Sequence, residues 1–279
     1  MPDHEKKPED FVGRETYTME DLLAIMAYLR SPGGCPWDRI QTHESIQGNM
    51  LEEAYEAVDA IQSGDAGKLV EELGDVLMQV VFHAGIGEEA GSFTFDQVVT
   101  GICRKLISRH THLFGDDQAD TPDMVLRTWE KNKQIEKGHE RTSDGMQSVP
   151  RGMPALMRSF KLQKKAAHAG FDWPSPEGAR AKLTEELEEL EEALAGGDQK
   201  KIQWEAGDLL FALVNWLRHL GIDPEAALTE SSERFIRRYT AMEDLADLKG
   251  LSFPGQSLAD MDALWDQAKK DTDGEGGKP

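Results

Sequence analysis

The chain contains two copies of one pattern, and this duplication constrains the possible folds more than any other feature. Sliding the sequence along itself superposes four segments: Gly64-Asp65 on Gly197-Asp198, Glu72 on Glu205, Gly74-Asp75 on Gly207-Asp208, and Glu52-Glu53-x-x-Glu56 on Glu185-Glu186-x-x-Glu189. The spacing between the acidic clusters is the same in both copies, although the residues between them differ. We therefore expect two repeats of one fold.

Apolar residues recur at helical spacing along nearly the whole chain, and no run alternates in the manner of a strand. The predicted fold class is therefore all-α, with two tandem helical bundles. The apolar stripe of the helix predicted near residues 66–88 is so broad that we expect this helix in the core. The predicted domains are residues 17–137 and 154–270, joined by a linker at 138–153 and flanked by flexible tails at 1–16 and 271–279.

Acidic residues outnumber basic ones, with 52 Asp and Glu against 31 Lys and Arg and a net charge of −21. This excess argues against a nucleic acid duplex as a partner, because such binding depends on clustered Lys and Arg. No window approaches the ~18 consecutive apolar residues of a membrane span, and no apolar leader is present. We expect a cytoplasmic protein without a membrane segment, in which Cys35 and Cys103 are reduced.

The acidic clusters of the second copy fall where their side chains can meet. Residues three apart lie about 60° apart around a helix, so Glu186 shares a face with Glu189, and Glu205 shares one with Asp208. The short connection at Gly196-Gly197-Asp198 makes the two helices antiparallel neighbours. Carboxylates brought together repel unless some protonate or a cation neutralises them. A set of oxygen ligands without Cys or His favours a hard ion, Mg²⁺ or Mn²⁺.

The first copy offers the matching carboxylates Glu53, Glu56, Glu72 and Asp75. A solvated helix face is the alternative interpretation, since a chain with 52 acidic residues produces such clusters by chance. Unselected surface charge has no reason to keep one spacing in both copies. The repetition therefore favours metal binding.

Basic residues near the second cluster suit a ligand that contains phosphate. A metal ion held by carboxylates keeps open positions, which commonly take water and substrate phosphates. Lys182 and Lys201 lie near the acidic pairs in sequence, and Arg234 and Arg238 lie one turn apart on a later helix. Guanidinium groups in such positions grip phosphate oxygens. The pattern therefore predicts a site for a phosphorylated ligand.

Arg234, Arg238 and Trp265 each have a structural interpretation as well as a ligand-binding one. For Arg234 and Arg238 the alternative is a surface ion pair with Glu230 or Glu233. Trp265 suits stacking on a base or ribose, but it also has the spacing of a core residue. Both interpretations stay open at the level of the sequence.

The duplicated motifs resemble those of a known family. The doubled Glu-Glu-x-x-Glu and Glu-x-x-Asp arrangement follows Cys35-Pro36-Trp37-Asp38 in the first copy and Gly170-Phe171-Asp172-Trp173 in the second. In this combination the chain resembles the MazG nucleoside triphosphate pyrophosphohydrolases over roughly residues 17–270. The resemblance implies two tandem MazG-like domains of an all-α superfamily that includes dimeric dUTPases. It also implies a homodimer that cleaves NTPs and dNTPs to the monophosphate and pyrophosphate with Mg²⁺.

The resemblance implies roles for individual residues of the second repeat, which would be the main catalytic unit. The implied metal ligands are Glu186, Glu189, Glu205 and Asp208. The residues implied to contact the nucleotide are Lys182, Glu185, Lys201, Trp204, Arg234, Arg238 and Trp265. The implied catalytic set comprises Glu185, Glu186, Glu189, Lys201, Glu205, Asp208 and Arg238, with water attacking the α-phosphorus and Glu185 orienting or deprotonating it. The first repeat keeps its carboxylates but has Asn49 in place of Lys182 and Ser108 in place of Arg237, which argues against its activity.

Three rival functions remain at this stage. The first is a regulatory module that binds metal and nucleotide without hydrolysis. The second is a structural helical dimer whose acidic faces only keep it in solution. The third is a narrower pyrophosphatase, with dUTPase-like or phosphoribosyl-ATP-type specificity.

Overall fold

The computed structural model describes residues 8–138, 141–253 and 255–275, and every regular element in them is helical. The predicted all-α fold class is confirmed. After a 3₁₀ turn at Pro8–Asp10, the first part contains α1 (Met19–Arg30), α2 (Pro36–Ile40), α3 (Gln47–Ser63), α4 (Ala66–Glu89), α5 (Phe95–Arg109), α6 (Thr111–Phe114) and α7 (Pro122–Glu136). The second part contains α8 (Thr142–Gln147), α9 (Ala155–His168), α10 (Pro176–Gly196), α11 (Gln199–His219), α12 (Pro224–Leu248) and α13 (Leu258–Glu275). None of the described helices is long and apolar enough to cross a bilayer.

The duplication is visible in the connections that end α3 and α10. Gly64 and Gly197 follow these helices in the left-handed conformation, with φ of 70° and 72°. A residue with a Cβ is strained there, which explains the glycine in both copies. Asp65 and Asp198 then cap the next helices by accepting hydrogen bonds from backbone N–H groups. Each pair of helices is thereby folded back on itself as a hairpin.

The chain divides into two compact units, Met1–Lys133 and Gln134–Pro279. In the first unit, the buried core contains Met26 of α1, three residues of α4 (Val81, Phe82 and Ile86) and Ile46, which precedes α3. In the second unit, α12 and α13 pack through Met242, Ala246, Leu264 and Ala268. The hairpins α3–α4 and α10–α11 carry the acidic clusters, one in each unit.

The prediction that α4 lies in the core is wrong for its first half. Val81 is 2% exposed, but Val70 and Leu73 are 73% and 53% exposed. The apolar stripe therefore has a buried half and an uncovered half within the described residues.

The structure contains helical residues in two segments that the sequence predicts to be irregular. The predicted linker at 138–153 includes the short helix α8, and α13 continues to Glu275 inside the predicted tail at 271–279. Residues 1–7, 139–140 and 276–279 of these predicted segments lie outside the described residues.

Candidate metal and nucleotide site

The second repeat brings three of its four predicted carboxylates together. Glu186 of α10 meets Glu205 and Asp208 of α11, with one carboxylate oxygen of each within 4.8 Å of the others. Glu186 is only 6% exposed, because it faces the interior of the hairpin. The fourth predicted ligand, Glu189, lies outside this group of three. Its pKa is raised by burial and by the charges of Glu186 and Glu205, which places it beside the cluster.

Lys182 is the cation that contacts this cluster directly. Its Nζ lies 2.7 Å from Oε1 of Glu186 and 2.8 Å from Oε1 of Glu185. These carboxylates raise the pKa of Lys182 well above its ordinary value, so the ammonium stays charged. All three residues lie within about one turn on one side of α10. Glu185 is the exposed member, and it lies at the rim of the cluster.

The first repeat also brings together three of its four predicted carboxylates, but at different positions of the motif. Glu53 and Glu56 of α3 meet Glu72 of α4, again with one oxygen of each within 4.8 Å of the others. The fourth residue, Asp75, lies close enough to raise the pKa of Glu53, second to the effect of burial. Burial, followed by the charge of Glu56, raises the pKa of Glu72. Asn49 occupies the position that Lys182 has in the second repeat, so the Lys182–Glu186 ion pair has no equivalent at this position of the first repeat.

The donor sets of both clusters fit a hard divalent cation. Each group of three offers carboxylate oxygens alone, with neither a thiol nor an imidazole among its members. Mg²⁺ and Mn²⁺ prefer such oxygen donors, and a divalent charge offsets the repulsion that raises the pKa values. The residues present are therefore compatible with the metal that the sequence predicts.

Lys201 and Trp204 lie on α11 next to the second cluster. Lys201, Glu205 and Asp208 fall on one face of the helix. Around the helix axis, Trp204 lies about 60° from Lys201. Trp204 is 73% exposed, which is unusual for so large an aromatic side chain. Both residues are thus accessible to a ligand bound at the carboxylates.

The structure does not join Arg234, Arg238 or Trp265 to the carboxylate cluster by any contact among the described residues. Arg234 approaches Glu230 at 3.5 Å, and Arg238 donates to Asp273 at 2.7 Å. The contact of Arg234 with Glu230 is the surface ion pair that the sequence offers as the alternative to phosphate binding. The Trp265 ring packs against Phe235 with centroids 5.3 Å apart, beside the buried residues of α12 and α13. Packing therefore accounts for Trp265 here, while both arginines are half-buried and each already has a carboxylate partner.

Sequence reasoning missed a polar contact at the first cluster. Gln79 of α4 is 3% exposed and lies beside Glu53, where its hydrogen bonding slightly offsets the rise in the glutamate's pKa. The available signal was a polar residue in the apolar stripe of α4, seven positions after Glu72.

A second missed feature is an ionic anchor in the segment before α10. Arg218 donates to Asp172 from Nη1 at 3.0 Å and also from Nη2, and His219 Nε2 lies 3.0 Å from the same carboxylate. This anchor ties the segment that carries Trp173 to the end of α11. The residues are far apart in sequence, so no local pattern indicates the contact.

Two family models match the chain, one in each repeat. The model described as the MazG nucleotide pyrophosphohydrolase domain matches residues 41–114. The model described as phosphoribosyl-ATP pyrophosphohydrolase matches residues 153–235. Each match includes the hairpin that carries a carboxylate cluster.

Relatives extend the similarity over both repeats. A Thermotoga maritima protein named nucleoside triphosphate pyrophosphohydrolase/pyrophosphatase MazG is 43% identical over 250 residues, which are 90% of this chain and 95% of the relative. A nucleoside triphosphate pyrophosphohydrolase of Escherichia coli K12 is 42% identical over 255 residues, 90% of this chain and 97% of the relative. The uncharacterised YabN of Bacillus subtilis is 44% identical over 248 residues, 88% of this chain and 50% of the relative. The chain belongs to the MazG family of nucleotide pyrophosphohydrolases.

Proposed function

We propose that this protein hydrolyses nucleoside and deoxynucleoside triphosphates to the monophosphate and pyrophosphate, with Mg²⁺, in its second repeat. The observation that carries the proposal is the group Glu186, Glu205 and Asp208, in which Glu186 is buried and is contacted by Lys182. This combination of a carboxylate cluster and an adjacent ammonium suits a triphosphate bound with a divalent cation. Membership of the MazG family and the names of the full-length relatives support the same reaction.

The proposed mechanism assigns a task to each group of side chains. When bound, the divalent ion offsets phosphate charge and lowers the pKa of a water molecule. Glu186, Glu189, Glu205 and Asp208 hold the ion, while Lys182 and Lys201 bind phosphate oxygens. Glu185, at the exposed rim, orients the attacking water or takes its proton. Arg234 and Arg238 stabilise the charge on the departing pyrophosphate, and the exposed Trp204 contacts the nucleoside.

Isosteric substitutions test the site. In Glu186→Gln and Glu205→Gln we expect pyrophosphate release to fall by about 10²-fold or more, because each removes a negative ligand without changing side-chain shape. Glu188→Gln is the matched control, since Glu188 lies exposed on the same helix. Circular dichroism verifies that the variants fold. Retained turnover in both cluster variants would refute the site.

The match of residues 153–235 to the phosphoribosyl-ATP pyrophosphohydrolase model supports a second candidate substrate. We rank phosphoribosyl-ATP below the common triphosphates as a substrate, because the relatives whose similarity covers both repeats are named nucleoside triphosphate pyrophosphohydrolases. Pyrophosphate release with phosphoribosyl-ATP, dUTP and the eight common NTPs and dNTPs separates these specificities. Binding without release of pyrophosphate from any of them would indicate a regulatory module instead.

We infer that the working form is a homodimer. Apolar side chains on the two hairpins are exposed in the single chain, including Val70 at 73%, Leu73 at 53% and Leu210 at 56%. Helical hairpins with such faces bury them by packing, and a second copy supplies a matching face. Light scattering should give twice the monomer mass of 31.1 kDa, and Leu210→Glu should lower it.

We place this activity in the cytoplasm as nucleotide-pool house-cleaning. The substrates are the precursors of nucleic acid synthesis. Cys35 and Cys103 are both free thiols, which agrees with a reducing compartment. A fractionation of the producing cells tests the location.

A further inference from the structure

Arg218, near the end of α11, lies at the centre of a polar network that the proposed mechanism does not use. Its Nη1 donates to Oδ2 of Asp172 at 3.0 Å, and its Nε and Nη2 donate to Oδ1 of Asn215 at 3.1 Å and 2.8 Å. Nη2 also donates to Oδ1 of Asp172, and Nε2 of His219 lies 3.0 Å from that oxygen. The Arg218 side chain is only 11% exposed. Because its planar guanidinium is bonded to both side chains, the network fixes the position of Asp172 relative to α11.

The network closes the end of the α10–α11 hairpin that lies opposite the turn. At the turn, Gly197 joins the two helices. At the open end, Asp172 shortly precedes the start of α10 at Pro176, and Arg218 lies next to the last residue of α11. The hairpin is therefore connected by the backbone at one end and by an ion pair at the other. Glu186 lies roughly 15 Å from either end of α10, so the carboxylate cluster is situated between the two connections.

The network also binds the face of α11 that carries two of the predicted metal ligands. Four residues of this helix, two from the cluster and two from the network, fall within an arc of about 80° around its axis: Glu205, Asp208, Asn215 and His219. Ala212 lies between them on the same face and is 7% exposed, so the face is packed along this length. A tilt or rotation of α11 that breaks the network therefore also moves its two carboxylates relative to Glu186 of α10.

An ionic connection of the same kind is present in the first repeat, where it is built from different residues. Arg30 of α1 donates from Nε and Nη2 to the carboxylate of Glu89, the last residue of α4, at 2.7 Å in both cases. Its Nη1 donates to the backbone oxygen of Asp38, in the segment before α3. The polarity is reversed, since here the arginine precedes the hairpin and the carboxylate ends its second helix. Recurrence with other residues indicates a requirement of the hairpin geometry.

We propose that Asp172, Arg218 and Asn215 are positioning residues of the α10–α11 hairpin. Their network fixes the separation of the two helices at the open end, and this holds Glu186 at the distance from the carboxylates of α11 that a divalent ion requires. Mg²⁺ demands near-ideal ligand geometry, so a small splay of the helices weakens the site. In this role the three residues act through the helices and touch neither ion nor substrate. The inference rests on the proposed function, because it takes these carboxylates as the ligands.

The separation of the two helices can be measured in the metal-free full chain. Spin labels at two exposed positions, Arg180 of α10 and Leu220 at the end of α11, report it by double electron–electron resonance in a background without the native cysteines. We expect one narrow distance distribution with the network intact and a broader one in Asp172→Asn. Glu89→Gln, the matched change in the connection of the first repeat, should leave the distribution narrow. An unchanged width in Asp172→Asn would overturn the proposal.

The requirement for the metal ion gives a second readout. At saturating triphosphate, and at a temperature where circular dichroism shows the variants to be folded, half-maximal pyrophosphate release should need roughly 3- to 10-fold more Mg²⁺ in Asp172→Asn than in the wild type. Arg218→Gln and the double variant should show the same increase, because either change alone removes the connection. Equal requirements in the wild type and Asp172→Asn, or additive effects in the double variant, contradict the positioning role.

Glu205→Gln separates the failure of this inference from that of the proposed function. Retained turnover in Glu205→Gln would contradict the proposed site itself. Lost turnover in that variant, together with a wild-type Mg²⁺ requirement in Asp172→Asn, would contradict the positioning role alone.

Discussion

Arg238 of α12 donates from Nη2 to Oδ2 of Asp273 of α13 at 2.7 Å, so an arginine predicted to bind phosphate already has a carboxylate partner. The Arg238 and Asp273 side chains are 20% and 51% exposed, and partly solvated ion pairs of this kind are weak. A triphosphate carries several negative charges and competes well for such a guanidinium. In the proposed mechanism, Asp273 is therefore the partner that the substrate must displace from Arg238.

Removal of this competitor should improve substrate binding. In Asp273→Asn we expect KM for the triphosphate to fall by roughly 2- to 5-fold at low ionic strength, as expected for an exposed pair worth ~0.5–1 kcal/mol. Asp262→Asn, at an exposed position of the same helix, is the matched control. Steady-state kinetics at two salt concentrations measures the effect. An unchanged or higher KM would mean that Arg238 does not meet the substrate.

The sequence predicts well those features that depend on neighbours within one or two helical turns. The Thr94-x-x-Gln97 spacing predicts a capping box, which is present in the structure, and Gly64 ends α3 in the left-handed conformation that favours glycine. The pairs Glu53 with Glu56 and Glu205 with Asp208 meet because helical geometry alone sets their spacing. These features need no knowledge of tertiary contacts.

Contacts between distant segments were not predictable in the same way. The ion pair of Arg238 with Asp273 depends on how α12 packs on α13, and no periodicity encodes it. Val70 and Leu73 are exposed, which differs from the prediction. An apolar stripe indicates that a helix face is buried against a partner, but it does not identify that partner. The contact of Gln79 with Glu53 likewise appears only when α3 and α4 are placed together.

The Trp173 ring occupies the space where Gly178 would carry a side chain. A Cβ built on Gly178 would lie 2.7 Å from Cε3 of Trp173. We therefore expect Gly178→Ala to reduce the free energy of unfolding by about 1–3 kcal/mol, as overpacking does. Gly196→Ala, on the same helix with open space around it, should be neutral or slightly stabilising. Urea unfolding of both variants measures the difference, and equal stabilities would contradict the close contact.

Asp172 should contribute stability through its contacts with Arg218 and His219. Although burial alone raises its pKa, the hydrogen bonds and charge of Arg218 hold the pKa of this carboxyl below the ordinary 3.8. This stabilisation is present above pH 3.8 and is lost as the pH falls through the lower pKa of the folded state. At neutral pH, Asp172→Asn should cost about 1–3 kcal/mol, while exposed Asp244→Asn should cost little. A stability gap that persists at strongly acidic pH would argue against this ionic origin.

The imidazoles of His43 and His83 form a pair that should respond to mild acid. Their Nδ1 atoms lie 2.8 Å apart and their rings are within 8° of parallel. One Nδ1 must therefore donate to the other, and protonation of both rings would place two N–H groups face to face. Burial, followed by the charge of His43, lowers the pKa of His83 below the ordinary 6.5.

The sign of the effect on stability follows from that depressed pKa. The unfolded chain binds a proton at His83 more readily than the folded chain does, so stability is full above pH 6.5 and declines as the pH falls from there towards the folded pKa. Thermal melts between neutral and mildly acidic pH should show this decline in the wild type and a smaller one in His83→Gln. His168→Gln, at an exposed position, should retain the wild-type slope. If His83→Gln also retains that slope, the pair does not account for the acid sensitivity, and the two rings are held together by packing alone.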